Sequence, residues 1–337
     1  MVKEMSGFKE IIGQEHIVTH IKNAVKLNKI SHAYMLCGEK GMGKKLVADR
    51  FSMLLQCESE VDKPCMECRA CKQTMGKNNP DIKWVYHEKP NTISVEEARE
   101  QLVNDIAIKP YSSKYKIYII DEAEKMSVAA QNAILKTIEE PPEYGIIMIL
   151  TQSKEMMLET IQSRCVLLEM RPVQKNDFKS YFQSKMKVPD YEIDSLLEFS
   201  AGNIGKAKSM VENDSYSTMR EHILDILKNI KKLDAASLNG KMKDAANYKN
   251  DMNGYMDLIT MWFRDILLYK STRNDKKLIF KEQTNIVKAQ SEGYSYNALN
   301  EILEEIKKVQ TRLGSNVNFE LTLEMLYMKI RDLLTEM

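Results

Sequence analysis

The sequence lacks the features that place a protein in a membrane or an export pathway. No run of about 18 apolar residues, the length of a transmembrane helix, occurs in its 337 residues. The first segment, MVKEMSGFKEIIGQEH, has no apolar stretch of the kind found in signal peptides. Internal repeats and low-complexity linkers are also absent. These absences predict a soluble, cytoplasmic protein without membrane contact.

An excess of charge of either sign is absent as well. Lys and Arg number 49 and Asp and Glu number 48, which gives a net charge of +1. A protein that coats nucleic acid through bulk charge needs a strongly basic surface, so any contact with DNA must be local. Hydrophobic residues make up 43% of the 337 residues, and this length and composition favour two or three domains with sizeable cores.

Short apolar runs alternate with helical patterns over the first 170 residues. The predicted strands are SHAYMLCG (31–38), DIKWVYHE (81–88), KYKIYIIDEAE (114–124), YGIIMILTQ (144–152) and VLLEM (166–170). The predicted helices are 44–56, 127–142 with Ser127 as N-cap, and 154–165. Near-continuous apolar strands that alternate with helices are typical of a parallel sheet covered on both faces. The predicted fold class is therefore α/β for residues 1–170.

The pattern changes after Arg171 and Pro172, beyond which only helices are predicted. Residues 171–212 predict a small helical domain, and residues 213–337 an all-α domain. Two stretches of the latter are amphipathic: 255–270, with Met256, Ile259, Phe263, Ile266 and Leu267 at helical spacing, and 318–334, with Leu321, Met325, Met328 and Leu333 near one face. Such faces suit an internal core and a subunit interface equally well.

A glycine-rich loop, GEKGMGKKL (38–46), joins a predicted strand to a predicted helix. Gly38, Gly43 and Lys44 match the phosphate-binding pattern G-x-x-x-x-G-K-[ST], and Gly41 adds a further flexible position. In this context the loop predicts phosphate binding at the N-terminus of the following helix. The alternative is an ordinary turn between a strand and a helix.

The missing hydroxyl of this loop is its most informative feature. Lys45 occupies the position where Ser or Thr would ligate Mg²⁺. An ammonium group cannot ligate a cation that needs oxygen ligands. Either Lys45 turns away or Mg²⁺ is excluded, and in both cases hydrolysis loses a metal ligand. Binding of nucleotide without turnover remains compatible with the sequence.

An acidic pair follows the apolar strand IYII at Asp121 and Glu122. In phosphate-loop proteins the first acid at such a position holds Mg²⁺ and the second activates the attacking water. The alternative is that both acids cap the loop after the strand. The pair is more informative in combination with the glycine loop than alone.

Four cysteines, Cys57, Cys65, Cys68 and Cys71, lie within 15 residues. In a cytosolic chain such a cluster is more typical of a metal site than of disulfides. Four thiolates complete a tetrahedral Zn²⁺ site without an open position, so the predicted zinc is structural. The nearby Arg69 and Lys72 leave open a zinc module that binds nucleic acid.

Arg164 lies in the triplet SRC, between a predicted helix and a predicted strand. An arginine there is commonly a surface charge or an ion-pair partner. The alternative is an arginine that an oligomeric phosphate-loop protein offers to the γ-phosphate of its neighbour.

The order of these segments resembles that of bacterial clamp-loader AAA+ subunits. FKEIIGQEH, SHAYMLCGEKGMGKK, the four-cysteine insertion, IIDEAEKMSVAAQNAILKTIEEPP and SRC carry the resemblance over roughly residues 1–210. The family contains ATP-hydrolysing subunits, usually longer and with an intact G-K-[ST] loop, and subunits of the same layout with a degraded loop. The length of the chain and Lys45 favour the second kind, which implies a stator without independent ATPase activity.

The resemblance also implies roles for individual residues. Arg164 would act in trans as an arginine finger, the four cysteines would hold zinc, Gly13 and Gln14 would lie beside the adenine, and Thr151 would be the polar sensor. Gly205, followed by Lys206, stands where a second sensor arginine is usual, which weakens hydrolysis in cis.

The implied architecture is a RecA-like domain with a zinc module at 57–71, a helical lid and a C-terminal collar. The collar would pack with other subunits into a ring of five that loads a sliding clamp at primed DNA. Two other functions stay open: the chain hydrolyses ATP itself through Asp121 and Glu122, or its zinc module binds nucleic acid directly.

Overall fold

The fold is described from a computed structural model, in which residues 6–60, 62–89, 92–212, 214–313 and 318–335 are described. The chain forms two compact units. The first contains Met1–Ser180 with Gly202–Lys206, and the second contains Tyr181–Ala201 with Ala207–Met337. The division into three domains at residues 170 and 212, as expected from the sequence, stays a prediction.

A sheet of five parallel strands lies at the centre of the first unit. The strands are β1 (Ala33–Cys37), β2 (Ile82–Val85), β3 (Lys116–Ile120), β4 (Gly145–Thr151) and β5 (Val166–Glu169), in the spatial order β2-β3-β4-β1-β5. Leu36 of β1 lies opposite Leu150 of β4 and Leu168 of β5. The predicted parallel sheet is confirmed, and it brings the carboxyl ends of β1, β3 and β4 to one edge.

Both faces of this sheet are covered, which explains the continuous apolar runs in the sequence. Successive side chains of a strand point to opposite faces. Tyr34 and Leu36 of β1 pack in one core with Phe51, whereas Met35 packs on the opposite face with Ile134. Every residue of β1, β3 and β4 is buried, so no position in these strands tolerates an exposed polar side chain.

The helices of the first unit are α1 (Glu15–Lys26), α2 (Lys44–Gln56), α3 (Arg69–Met75), α4 (Val95–Ala98), which continues as one π-helical turn (Arg99–Val103), α5 (Val128–Glu139), α6 (Glu159–Gln162) and α7 (Lys175–Met186), whose last residues belong to the second unit. Two of the helices predicted for the first unit, 44–56 and 127–142, are confirmed as α2 and α5. The Oγ of Ser127 accepts from the Ala130 N–H at 3.1 Å, which confirms the predicted N-cap of α5. Helix α1, with Ile17, Ile21 and Ala24 buried, was not predicted.

The prediction of one continuous helix over residues 154–165 is wrong, because the structure has two separate short helical segments there. A short 3₁₀ turn at Lys154–Met156 is separated from α6 by extended backbone at Met157 and Leu158. The buried Gln131 of α5 holds this break, because its Oε1 accepts from the Leu158 N–H at 2.9 Å and its Nε2 donates to the Met156 carbonyl at 3.4 Å. A tertiary contact therefore overrides the local helical preference.

The second unit is helical throughout its described residues. Its helices are α8 (Asp190–Ser200), α9 (Ile204–Glu212), which begins in the first unit, α10 (Asp214–Asn229), α11 (Ala235–Ala245), α12 (Met252–Thr272), α13 (Thr284–Gly293), α14 (Tyr296–Leu313) and α15 (Phe319–Thr335). Their core is rich in aromatic residues: Tyr255, Trp262, Phe263, Tyr294 and Tyr327 are all buried. None of the described helices combines the length and the apolar character needed to span a membrane.

The two amphipathic stretches of this unit differ in outcome. Met256, Ile259, Phe263 and Ile266 of α12 are buried in the core and Leu267 is partly buried, so of the two possibilities that the sequence left open this face serves the core. On α15 Leu321 and Met325 are 55% and 60% exposed, whereas Met328 and Leu333 are partly buried against the core, so a role of this face in a subunit interface stays a prediction. The buried face of α15 consists of Leu323, Leu326, Tyr327, Ile330 and Leu334. These residues recur at helical spacing and begin two residues after Leu321.

Candidate nucleotide and arginine sites

The glycine loop connects β1 to α2, as the sequence predicts. Gly41 and Gly43 both have a φ of +94°, a conformation that strongly favours glycine. Gly43 is the N-cap of α2, and within the described chain no side chain caps this helix. The first N–H groups of a helix have no intrahelical partner, so the start of α2 offers donors to an anion.

The ammonium group of Lys44 is turned back onto its own loop. Its Nζ donates to the Gly38 carbonyl and, at 3.1 Å, to the Glu39 carbonyl. Partial burial lowers the pKa of Lys44, while the nearby carboxylates of Glu124 and Asp121 act in the opposite direction. The residue expected to reach a phosphate is thus satisfied by backbone oxygens.

Lys45 forms an ion pair with the acid that would bind magnesium. Its Nζ lies 2.5 Å from Oδ2 of Asp121, which follows β3 directly. The side chain of Lys45 is 64% exposed and that of Asp121 is 18% exposed. Of the two alternatives that the sequence left open, Lys45 therefore does not turn away. Its ammonium group contacts the carboxylate that the sequence predicts as a Mg²⁺ ligand.

The second acid of the pair, Glu122, is held by two neighbouring side chains. Its Oε2 lies 2.6 Å from Nζ of Lys125 and 3.7 Å from Nε2 of His87. The hydrogen bond from Lys125 holds the pKa of Glu122 below its ordinary value. Glu122 also has a φ of +48°, so its backbone is in the left-handed region. Sequence reasoning missed His87, although it follows β2, the strand beside β3.

The residues expected around the base and at the sensor position make structural contacts. The buried Gln14 accepts from the Arg171 N–H at 2.9 Å and donates to the Arg171 carbonyl at 2.6 Å. Gly13, with a φ of +69°, lies against Val173. Thr151 is fully buried, and its hydroxyl donates to the Ser153 carbonyl at 3.0 Å. Their roles toward a nucleotide stay predictions.

Residues 202–206 close against the glycine loop. The Gly205 N–H donates to the Gly41 carbonyl at 3.0 Å, and Nδ2 of Asn203 donates to the Lys40 carbonyl at 2.9 Å. A Cβ atom on Gly205 would lie 2.4 Å from the Gly41 oxygen. An arginine is therefore sterically excluded at this position in this arrangement. Asn203, which sequence reasoning missed, is buried and follows the turn at Gly202.

A cavity of about 330 Å³ lies beside the loop. Lys40, Lys44 and Lys45 line it together with Asp121, Glu122 and Glu124. Positive and negative side chains face the same space, and several of them neutralise each other. The structure thus brings the predicted loop and acidic residues together, but in a self-paired state.

Arg164 lies apart from this cavity, in the turn between α6 and β5. Its Nε is 2.8 Å from Oε1 of Glu139, the last residue of α5. Its Nη1 donates to the Thr160 carbonyl at 2.9 Å and contacts Oγ of Ser163 at 3.1 Å. The Arg164 side chain is 40% exposed, so the arginine is accessible from outside the chain.

The four predicted cysteines form one cluster beyond the C-terminal end of α2. The sulphur atoms of Cys57, Cys65, Cys68 and Cys71 lie within 4.8 Å of one another. Tetrahedral zinc with Zn–S bonds of about 2.3 Å places its sulphur ligands about 3.8 Å apart. The backbone N–H groups of Cys65, Cys68 and Cys71 lie 3.3–3.5 Å from sulphur atoms of the cluster. The donor set and its spacing fit a metal ion.

Comparison with known proteins agrees with this geometry. A family model described as DNA polymerase III, delta subunit, matches residues 13–174, and the model of the C-terminal part of that subunit matches residues 218–332. The delta' subunit of DNA polymerase III from Bacillus subtilis is 26% identical over 95% of this chain and 96% of its own length. This chain belongs to the family of DNA polymerase III clamp-loader subunits.

Other relatives of this clamp-loader subunit carry the name tau. The tau subunit of Bacillus subtilis is 31% identical over 89% of this chain, which spans 58% of the length of that relative. The tau/gamma subunit of Haemophilus influenzae is 31% identical over 61% of the chain, which spans 30% of its length. A solved structure of a gamma-subunit-related protein from Thermotoga maritima overlaps 93% of this chain and 99% of its own chain, with 20% identity and a TM-score of 0.45.

Proposed function

We propose that this protein is a delta-prime-type subunit of the clamp loader, a stator that does not hydrolyse ATP itself. The observation that carries the proposal is the ion pair between Lys45 and Asp121. A magnesium ion at Asp121 would have to displace an ammonium group, and no hydroxyl is present to complete its ligand set. The contact of Gly205 with Gly41 supports the same conclusion, because it leaves no room for a sensor arginine.

In this proposal the chemistry takes place on the neighbouring subunit. Arg164 would donate to the γ-phosphate of ATP held by an adjacent tau/gamma subunit, where an added positive charge stabilises the transition state. Together with tau/gamma and delta subunits, the chain would complete a ring of five. That assembly would open the sliding clamp and load it at primed DNA. The helices of residues 213–337 would form the collar of the ring, and residues 171–212 the lid.

The cysteine cluster would hold a structural zinc ion in the same protein. Cys57, Cys65, Cys68 and Cys71 offer four sulphur ligands and no open position. Zinc here would fix a segment that has a very small core of its own, in which Met53 is the main partner of the cysteines. A role in nucleic-acid binding finds no comparable support, because the net charge is only +1.

Arg164→Ala tests the proposed function in the reconstituted complex with tau/gamma, delta, sliding clamp and primed DNA. We expect DNA-stimulated ATP hydrolysis to fall by about 10³-fold, the lower range for loss of an arginine finger. Gel filtration should show that the complex still assembles. Arg99→Ala, which removes another exposed arginine of the same unit, should leave the rate unchanged. An Arg164→Ala complex that hydrolyses ATP at the normal rate would contradict the proposal.

One alternative has a specific observation in its favour. Lys44, Asp121 and Glu122 all line the cavity beside the loop, so the chain could be an ATP-hydrolysing subunit of the tau/gamma type. In that case the isolated chain would hydrolyse ATP, and Asp121→Asn and Glu122→Gln would each abolish the activity. Absence of turnover in the isolated wild-type chain would exclude this alternative.

A further inference from the structure

The ion pair between Glu139 and Arg164 places a carboxylate at the C-terminus of a helix. Glu139 is the last residue of α5, and Glu140 is its C-cap. The C-terminus of a helix carries a partial negative charge, which disfavours carboxylates there. Oε1 of Glu139 lies 2.8 Å from Nε of Arg164. The positive guanidinium group therefore offsets the unfavourable interaction between the Glu139 carboxylate and the helix C-terminus.

The remaining contacts of Arg164 fix the orientation of its guanidinium group. Nε forms an ion pair with Oε1 of Glu139 at 2.8 Å, and Nη1 donates to the Thr160 carbonyl at 2.9 Å. Within the described residues, Nη2 has no protein partner. The guanidinium fork is planar and rigid, so anchoring two of its nitrogens determines where the third one points.

The backbone that carries the two residues is itself held in place. Gln131, two turns before Glu139 on α5, bonds to the backbone of Met156 and Leu158 immediately before α6. Gln131 is 4% exposed, and its contacts are shielded from water. The separation of α5 from the turn that bears Arg164 is therefore set by a buried side chain and does not depend on the Glu139 pair.

We propose that Glu139 is a positioning residue for Arg164. It pairs with Nε, while Nη2, which has no protein partner among the described residues, remains available to a phosphate oxygen on an adjacent subunit. The inference rests on the proposed function of Arg164. It adds that the arginine is pre-oriented within its own chain before the partner arrives, which lowers the ordering needed in the transition state.

Glu139→Ala and Glu139→Gln, each assayed in the reconstituted complex, test this role. We expect Glu139→Ala to lower kcat for DNA-stimulated ATP hydrolysis by about tenfold, since small misplacements of a catalytic group cost up to about 10²-fold. KM for ATP should change less than twofold. Glu139→Gln retains an acceptor oxygen and should fall between the wild type and Glu139→Ala. Glu140→Ala removes the neighbouring exposed acid and should behave as the wild type.

A double-mutant cycle separates positioning from general structure. In the Arg164→Ala background, Glu139→Ala should have no further effect, because the group that it positions is gone. An additive loss in the double variant would overturn the proposal, and so would an unchanged or raised kcat in Glu139→Ala, which would indicate that Glu139 is inert or competes for the arginine. If Arg164→Ala itself keeps the normal rate, the proposed function fails. If only Glu139→Ala keeps it, the positioning role alone fails.

Discussion

The first unit contains two cationic sites, the glycine loop and Arg164, which differ in how far their charges are paired within the chain. At the glycine loop, Lys44 donates to loop carbonyls and Lys45 pairs with Asp121. At the turn before β5, Arg164 uses two nitrogens within the chain, and its side chain remains 40% exposed. The loop satisfies its own charges, whereas the arginine is anchored at one edge and accessible at the other.

This difference matters because an internal partner competes with a ligand. A ligand that needs Lys45 or Asp121 must first separate this ion pair, which is worth about 1 kcal/mol or less because the Lys45 side chain is largely exposed to solvent. A loop with built-in partners is also ordered without nucleotide. Nη2 of Arg164 has no protein partner among the described residues, so a ligand that binds it does not have to separate an existing ion pair. We therefore expect Arg164, and not the glycine loop, to act on a ligand that a partner subunit holds.

The largest expected effect comes from removing the zinc ion that we propose for the cysteine cluster. The cluster adjoins the C-terminal end of α2, whereas the loop forms its N-terminal end, so loss of zinc should loosen the helix that carries Lys44 and Lys45. Cys68→Ser, or chelation, should lower Tm by at least about 5 °C. Hydrogen exchange should increase over 44–71 and stay unchanged at 159–169.

Metal analysis and a second cysteine variant check this result. The wild type should contain about one zinc ion per chain, and Cys165→Ser, a cysteine outside the cluster, should keep it. Equal exchange rates over 44–71 with and without metal would show that the cluster does not support the loop.

Gly205→Ala tests whether the loop site is closed from within. The added Cβ would lie 2.4 Å from the Gly41 carbonyl oxygen, so either the loop or the start of α9 must move. We expect the free energy of unfolding to fall by about 1–2 kcal/mol, since overpacking outweighs the better helix propensity of alanine. Thermal denaturation and exchange at 38–46 measure the effect.

Gly240→Ala is the matched control for this substitution. Gly240 lies within α11, and a Cβ atom there would meet no atom within 4 Å. This variant should be slightly stabilised, by up to about 1 kcal/mol. If Gly205→Ala behaves in the same way, the contact between Gly205 and Gly41 does not hold the loop closed.

The smallest expected effect is a gain of function at Lys45. Lys45→Thr frees Asp121 and supplies the hydroxyl that the loop lacks. We expect Mg²⁺ to tighten the binding of a fluorescent ADP analogue to this variant by about tenfold, or about 1.4 kcal/mol. Titration of the wild type should show no dependence on Mg²⁺. Lys40→Thr, which removes a loop lysine away from the metal position, should resemble the wild type.

Mg²⁺-dependent binding by the wild-type chain would contradict the view that the glycine loop is blocked by its own charges. It would mean that Asp121 releases Lys45 readily, so that the ion pair does not protect the loop. If binding to the Lys45→Thr variant does not depend on Mg²⁺, groups other than Lys45 prevent Mg²⁺ binding at the loop. Glu124 and the contact of Gly205 with Gly41 would be the first candidates.

Much of the fold follows from local patterns that need no partner. The buried strands appear as apolar runs, and Ser127 marks the start of α5 because its side chain caps the nearest N–H groups. The cysteine cluster was predictable because its ligands are close in sequence. The break at Met157 was not, since it depends on Gln131 of another helix. The buried face of α15 could not be chosen from the sequence, because apolar residues occur on both sides of this helix.

The α/β fold, the glycine loop, the cluster of four cysteines and the lysine in place of a hydroxyl at position 45 all follow from the amino-acid sequence alone. These features are encoded by residue type at short range, where backbone geometry and ligand chemistry allow few alternatives. The folded structure was needed to show that Lys45 pairs with Asp121, that Gly205 contacts Gly41, and that Glu139 pairs with Arg164. Each of these contacts joins residues far apart in the chain, and which charges meet depends on how strands and helices pack.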